Sequence, residues 1–431
     1  MLIGTNLSII DMTPSITRIA YASFIGTAIE YYDFYIYGMA SALVIGPIFF
    51  PAGAPEVQIF SAFLTFAIAF ISRPIGALLF GHFGDRIGRK ATLIVSLLVM
   101  GISTTLIGFL PGFDVFGIWA PILLCVCRFA QGIGLGGEWG GAALFATENA
   151  PAGKRGLYGM FPQMGPSIGF LLATGSFLLL TQLLTVQEFN EWGWRIPFVS
   201  SSLLVVIGLY IRITLTETPV FNKLLQEGSR VSFPIKEIFQ SYLVPLFLGS
   251  LAMVVCYALF YISTVFSLSY GTTELKIPRQ SFLGMLSIAI LFMALATPLA
   301  AWAADRWGRR PILLMSSTFA FLSGFILEPM LSSQSVFFIT LLLSLQLFLM
   351  GATFAPMGAL LPELFPSHLR YTGAGTAYNL GGILGASFAP YIAQKLVMMG
   401  GLAWVGGYVS VASLVSFVAV YLMRETYCNE W

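Results

Sequence analysis

YASFIGTAIEYYDFYIYGMASALVIGPIFF, residues 21–50, is longer and more apolar than the about 20 residues that suffice to cross a bilayer. Yet it carries two carboxylates, Glu30 and Asp33, near its middle. One acid at the centre of a membrane helix costs roughly 2.5–3.5 kcal/mol on insertion scales. Acids three residues apart share a helical face, and Tyr37 continues that face one turn later. Packing makes no demand for acids there. They need cationic partners or a water-filled cavity, a combination that in membranes marks a transport path.

Composition agrees. Of 431 residues, 57 % are hydrophobic and 9 % charged, with a mean hydropathy of +0.87; a soluble domain is about 25 % charged. The net charge of +2 points to no nucleic-acid partner. Cys125, Cys127, Cys256 and Cys428 have no metal-ligand spacing, and His82 and His368 are the sole histidines, so no metal, cofactor or His-based catalysis is expected. A cleavable leader pattern is lacking at the start, so the first span is expected to be retained.

Twelve apolar runs are readable, at about 21–50, 58–82, 91–111, 118–147, 157–185, 195–215, 241–270, 280–303, 311–331, 335–362, 371–397 and 402–423. With the N-terminus inside, fifteen Lys and Arg fall on the inner side, four on the outer, and two, Arg73 and Arg128, within spans. That bias predicts both termini in the cytoplasm of a multi-pass protein of the cell inner (plasma) membrane. The chain also repeats. Residues 81–90, GHFGDRIGRK, and 301–310, AWAADRWGRR, share D-R-x-G-R at an offset of 220; Glu148…Pro151…Arg155 and Glu363…Pro366…Arg370 share E-x-x-P-x-x-x-R at an offset of 215. Two six-helix halves of like orientation are therefore expected: residues 1–215 and 241–431, joined by a charged cytoplasmic loop at 216–240.

Residues 81–90 match the loop signature G-x-x-x-D-R-x-G-R-[RK] of the major facilitator superfamily, and RFAQGIGLGGE (128–138) resembles its helix-4 R-x-x-Q-G motif. EYYDFYIYG (30–38), RPIGALLFGHFGDRIGRK (73–90), GGEWGGAAL (136–144) and GWRIPF (193–198) resemble the metabolite:proton symporter family within it, whose carriers take 2-oxoglutarate, citrate, shikimate, proline or betaine. The resemblance implies an all-α membrane protein of twelve transmembrane helices in two pseudo-symmetric bundles. It also implies that Asp85 with Arg86 and Arg89, and Asp305 with Arg306 and Arg309, latch an inner gate, with Glu148, Arg155, Glu363 and Arg370 in the same charge network. Positive-inside topology alone explains the arginines but not an acid at both Asp85 and Asp305. An acid there can pair with those cations or face the positive N-terminus of a neighbouring helix. One departure is Ala301 in place of Gly81, which predicts a looser helix contact in the second half.

Arg73 and Arg128 lie deep in their spans, and two arginines facing two acids suggest mutual neutralisation. Protonating an acid would then free an arginine, whose planar fork suits a carboxylate. Bracing of a helix contact is the alternative for each. Gln131 lies one turn from Arg128 and can donate and accept toward a polar substrate. Glu138, two turns further, is a third proton site or an arginine partner. The second half offers Gln346, Tyr257, Tyr261, Tyr378 and Asn379 as polar candidates. The small residues at four-residue spacing, Gly132, Gly136 and Gly140 and then Gly373, Ala377, Gly381 and Gly385, read as close helix contacts.

A proton-coupled symporter of a small organic acid or zwitterion is thus expected, with Glu30, Asp33 and Glu138 carrying protons and Arg128, Gln131, Arg73, Tyr37, Tyr257, Tyr378 and Asn379 contacting substrate. An uncoupled facilitator or exchanger is the alternative. No nucleophile–base constellation or Walker loop is present, so neither enzyme activity nor ATP drive is expected, and a monomer is the expected state.

Overall fold

The computed structural model describes residues 16–51, 55–214 and 234–427. Those residues are almost entirely helical, with no strand among them. We number the main helices α1 (Ile16–Ala40), α2 (Pro55–Arg86), α3 (Arg89–Phe109), α4 (Trp119–Glu148), α5 (Arg155–Leu183), α6 (Ile196–Ile213), α7 (Leu243–Ala252), α8 (Arg279–Trp307), α9 (Arg309–Leu331), α10 (Val336–Phe354), α11 (Arg370–Gly382) and α12 (Leu402–Leu422). Several run on past a break: α1 through a wide π turn at Ser41–Ile45, α7 through Val254–Tyr261 and a π turn at Ile262–Phe266, and α11 through Ile383–Ser387 into Ala389–Gly400. Of the expected central loop, 216–233 lies outside the described residues, and Pro234–Ser241 is a short helix.

Among the described residues, ten helices are long and apolar enough to cross a membrane, and an eleventh if the bent pair Ala20–Ala40 and Leu43–Phe49 counts as one span. The run read at 371–397 is not among them. Its helix, RYTGAGTAYNLGG, is buried at nearly every position, so it faces protein rather than lipid and gains little from apolar side chains.

Packing repeats between the first six helices and the last six. α1 lies on α5, α2 on α4, and α3 on α4 and α6; α7 lies on α11, α8 on α10, and α9 on α10 and α12. The two sets meet through α5 against α8 and α2 against α11. Glycine sets the close approaches. A Cβ at Gly132 would collide with the Ala69 carbonyl and one at Gly136 with that of Arg73, so these glycines let α4 press on α2 and fix where Arg73 starts. Between the sets, a Cβ on Gly140 would sit 3.2 Å from Gly375 Cα.

The repeated D-R-x-G-R loops turn alike. Gly88 (φ 132°) and Gly308 (φ 101°) each end one helix and begin the next, a backbone region that essentially only glycine enters without strain. A chain reversal within one residue places the flanking Asp and Arg side by side at the helix ends.

Candidate functional site

Glu30 and Asp33 are buried on α1, and neither is ion-paired among the described residues. Asp33 Oδ1 accepts from Ser201 Oγ of α6 at 2.5 Å, and its Oδ2 has no partner. Glu30 Oε2 is likewise without one; the charges acting on it are Glu138, Arg73, Arg212 and Asp33. Tyr37, on the same face, shares a hydrogen bond with Thr65 Oγ1 at 2.5 Å.

The arginines do not neutralise these acids as the sequence suggested. Arg128 lies 3.7 Å over the Tyr37 ring and donates to the carbonyls of Thr65 (3.4 Å) and Phe66 (3.3 Å) and to Gln131 Oε1. Gln131 in turn donates to Thr104 Oγ1 (2.7 Å) and to the Asp33 carbonyl (3.2 Å). Arg128 therefore reaches α1 through the Tyr37 ring and, by way of Gln131, the Asp33 backbone carbonyl, not through a carboxylate. Arg73 lies over the rings of Phe34 (4.4 Å) and Phe70 (4.5 Å), held by cation–π attraction. Its Nε and Nη2 are buried without partners.

Glu138 has a partner that the sequence did not single out. Arg212, read as an inner-loop charge, is buried in the last turn of α6, pairs with Glu138 Oε1, and donates to the Leu93 carbonyl at 2.6 Å. Ser96 Oγ donates to Glu138 Oε2 at 3.1 Å. The apolar run 195–215 already contained Arg212; its closeness to the run's end hid it.

Across from these groups the last six helices present phenols. The hydroxyls of Tyr31 and Tyr378 are hydrogen-bonded across the interface. Tyr378 stacks on Trp139 at 4.0 Å, and Tyr257 packs beside Tyr378 at 5.6 Å. The neutral phenols of Tyr257, Tyr261, Tyr378 and Tyr31 lie in the neighbourhood of Arg73, Tyr261 packing at 5.4 Å on the Phe70 ring that lies beside Arg73. Asn379 Nδ2 donates to the Gly136 carbonyl at 3.1 Å. Trp139 and Gln163 form a further tie, Gln163 donating to the Phe354 carbonyl at 2.7 Å. Between the sets, Tyr35, Phe66, Phe170, Phe260 and Tyr261 line a cavity of about 20 Å³, room for a single water. The two sets are closed on each other at mid-height.

They are closed at the Asp85 end as well. Asp85 Oδ2 accepts from Thr372 N (3.2 Å) and Oγ1 (2.7 Å), in the first turn of α11. Asp305 accepts from Gly156 N (2.8 Å) and Leu157 N (2.7 Å), in the first turn of α5. Each acid thus caps a helix of the opposite set, where the positive end of the helix dipole favours an anion. Arg89 bridges Asp85 (3.6 Å) and Glu148 (3.4 Å), and Arg309 bridges Asp305 (2.7 Å) and Glu363 (3.3 Å). Glu148 and Glu363 thus each pair with a loop arginine, and Arg155 and Arg370 belong to the same network. Arg370 feels Glu148 across the interface, and Arg155 acts on Glu363. Arg86 and Arg306 point outward, beside His82 (3.2 Å) and over Trp302 (5.6 Å) respectively. Ala301 does not loosen the second contact, because the facing helix supplies the small residue: a Cβ on Gly156 would lie 3.1 Å from the Ala301 carbonyl.

A family model described as sugar (and other) transporter matches residues 19–230, and one described as Major Facilitator Superfamily matches residues 268–428. The chain is 50 % identical to the inner membrane metabolite transport protein YhjE of Escherichia coli (strain K12), over 96 % of both chains. It is 37 % identical to the shikimate transporter of the same strain, over 95 % of this chain and 94 % of that one. With that strain's proline/betaine transporter the identity is 34 %, over 94 % and 83 %. Among solved structures, the proton:xylose symporter XylE superposes with a TM-score of 0.73 at 18 % identity, over 95 % of this chain and 96 % of that one, which is a likeness of fold.

Proposed function

Because this chain belongs to the major facilitator superfamily and is a multi-pass membrane transporter, not an enzyme, we propose that it is a proton-coupled symporter of a small organic acid or zwitterion. Residues 1–215 and 241–431 are the two bundles that rock about the site, and 216–240 is their tether. Both termini face the cytoplasm, on the bias of fifteen inner to four outer cations, so the Asp85 end is the cytoplasmic mouth. The observation that carries the reading is the burial, within the first six helices, of two carboxylates and a guanidinium with atoms that lack partners: Glu30 Oε2, Asp33 Oδ2, and Arg73 Nε and Nη2. Groups so costly to leave unpaired in a membrane are poised for a proton and for an anion. With Glu138 held by Arg212, Asp33 and Glu30 are the groups left to carry protons. Arg128, Gln131 and Tyr37 hold α1 and the binding face in register, while Tyr257, Tyr378 and Asn379 close over the substrate from the second bundle.

The sizes fit. A monoanion moving with one proton carries no net charge and gains nothing from voltage, whereas each further proton adds about 2.3 kcal/mol per 100 mV. The test is uptake into proteoliposomes of shikimate, 2-oxoglutarate, proline and betaine, with and without a pH gradient. Accumulation that collapses when an ionophore dissipates the gradient is expected. Accumulation unchanged by the ionophore would favour an uncoupled facilitator or exchanger.

The reciprocal caps act as the cytoplasmic gate. Asp85→Asn keeps the shape but removes the charge facing α11, an interaction of about 1–2 kcal/mol. A shift of roughly 5- to 30-fold toward the inward-open population is expected, read as lengthened spin-label distances between the inner ends of α2 and α11. Unchanged distances would take Asp85 out of the gate.

A further inference from the structure

We propose that the Nε–Nη2 edge of Arg73 is the receptor for the substrate's carboxylate, and that the substrate is a hydroxylated monocarboxylate whose hydroxyls are read by Tyr31, Tyr257, Tyr261 and Tyr378. This rests on the reading of the chain as a carrier of small acids and narrows it to one chemical class.

Nε and Nη2 lie on one side of the guanidinium plane, and together they make the two-pronged edge that fits both oxygens of a carboxylate. Both are buried without a partner, and Arg73 is 2 % exposed. The guanidinium carbon lies 4.4 and 4.5 Å from the adjoining rings of Phe34 and Phe70, so little freedom is lost when the edge is filled. A single carboxylate is indicated because the other buried arginines near the seam are committed. Arg128 donates to two carbonyls and Gln131, and Arg212 to Glu138 and the Leu93 carbonyl. A second carboxylate would find no guanidinium edge left.

Glu30 is near enough for its charge to be felt at Arg73 but is not paired with it among the described residues, and the other polar groups nearby are the phenols of Tyr31, Tyr257, Tyr261 and Tyr378. A quaternary ammonium binds open ring faces, but here Tyr378 is stacked on Trp139, Tyr35 on Phe260, and Phe34 and Phe70 carry Arg73 itself. The hydroxyls are less committed. Tyr257 Oη reaches the Tyr378 carbonyl only at 3.5 Å, and Tyr31 and Tyr378 bond to each other across the seam. When the bundles part, that pair becomes two hydroxyls beside the guanidinium, each able to donate and accept. That array matches the hydroxyls of a polyhydroxy acid.

The purified full-length protein is tested by calorimetric binding of shikimate, quinate, benzoate, glycine betaine and 2-oxoglutarate. Shikimate or quinate is expected to bind at least about tenfold tighter than the other three. Arg73→Lys keeps the charge but loses the fork and is expected to weaken the hydroxylated acids by about 10- to 100-fold, as hydrogen bonds to charged groups imply. Tyr257→Phe removes one hydroxyl and is expected to weaken them about fivefold while leaving benzoate unchanged, a readout that survives if the arginine variant does not fold. Tightest binding of betaine or 2-oxoglutarate, an equal loss for benzoate in Tyr257→Phe, or binding of no probe would overturn the assignment. Gradient-driven uptake of betaine by the wild type would overturn the substrate class and leave the symporter standing. Tight binding of shikimate without any gradient-driven uptake would do the reverse.

Discussion

Asp33→Asn is expected to abolish proton-driven accumulation while leaving exchange of substrate for substrate intact. A one-unit pH gradient is worth about 1.4 kcal/mol per proton, so a single coupled proton sustains about a tenfold internal excess. In the variant that excess falls to unity. The expectation follows from the surroundings of Asp33. Its carboxylate is buried, takes one hydrogen bond from Ser201 at 2.5 Å, and has no cation paired with it among the described residues. A proton there removes a charge that nothing nearby offsets, and asparagine imitates the neutral form permanently. Accumulation in proteoliposomes under an imposed gradient, set beside counterflow in the same vesicles, makes the measurement. A normal tenfold excess in the variant would remove Asp33 from the coupling.

The second large effect is on stability. Arg212→Ala leaves Glu138 buried at 1 % exposure with Ser96 as its remaining hydrogen-bond partner among the described residues. Breaking a buried ion pair on one side costs about 3–5 kcal/mol, a large share of the 5–15 kcal/mol that holds a typical domain together. A sharp fall in the yield of monodisperse protein and in unfolding temperature is expected. The double variant Glu138→Gln/Arg212→Gln removes both charges and should regain most of the loss. A single variant as stable as the parent would show that Glu138 and Arg212 do not depend on each other.

The contrast between these residues explains what the sequence could convey. A membrane penalises charge so heavily that Glu30, Asp33, Arg73 and Arg128 stand out inside their apolar runs, and the doubled D-R-x-G-R marks the repeat in the sequence itself. Partnerships were harder to read. Which way a side chain points depends on how closely helices approach, and that is set by backbone contacts such as those of Gly132 and Gly136 with α2. The expected pairing of Arg73 and Arg128 with the acids failed on this ground. Ser201, which holds Asp33, belongs to a residue type too common in apolar spans to signal anything. Arg212 was indistinguishable from an ordinary inner-loop cation. Thr372 and Gly156, which receive the capping acids, are marked only by standing in the first turn of a helix, and no motif in this chain announces them.

Asp85 seats on α11 and Asp305 on α5, so each half offers the same anion and receives on the same helix end. Two identical six-helix units facing one another about a two-fold axis would make that same self-complementary contact. The contact that shuts this mouth therefore needs one kind of surface used twice, while the two sets differ at their centres: the first buries Glu30, Asp33, Arg73 and Arg128, and the second Tyr257, Tyr261 and Tyr378.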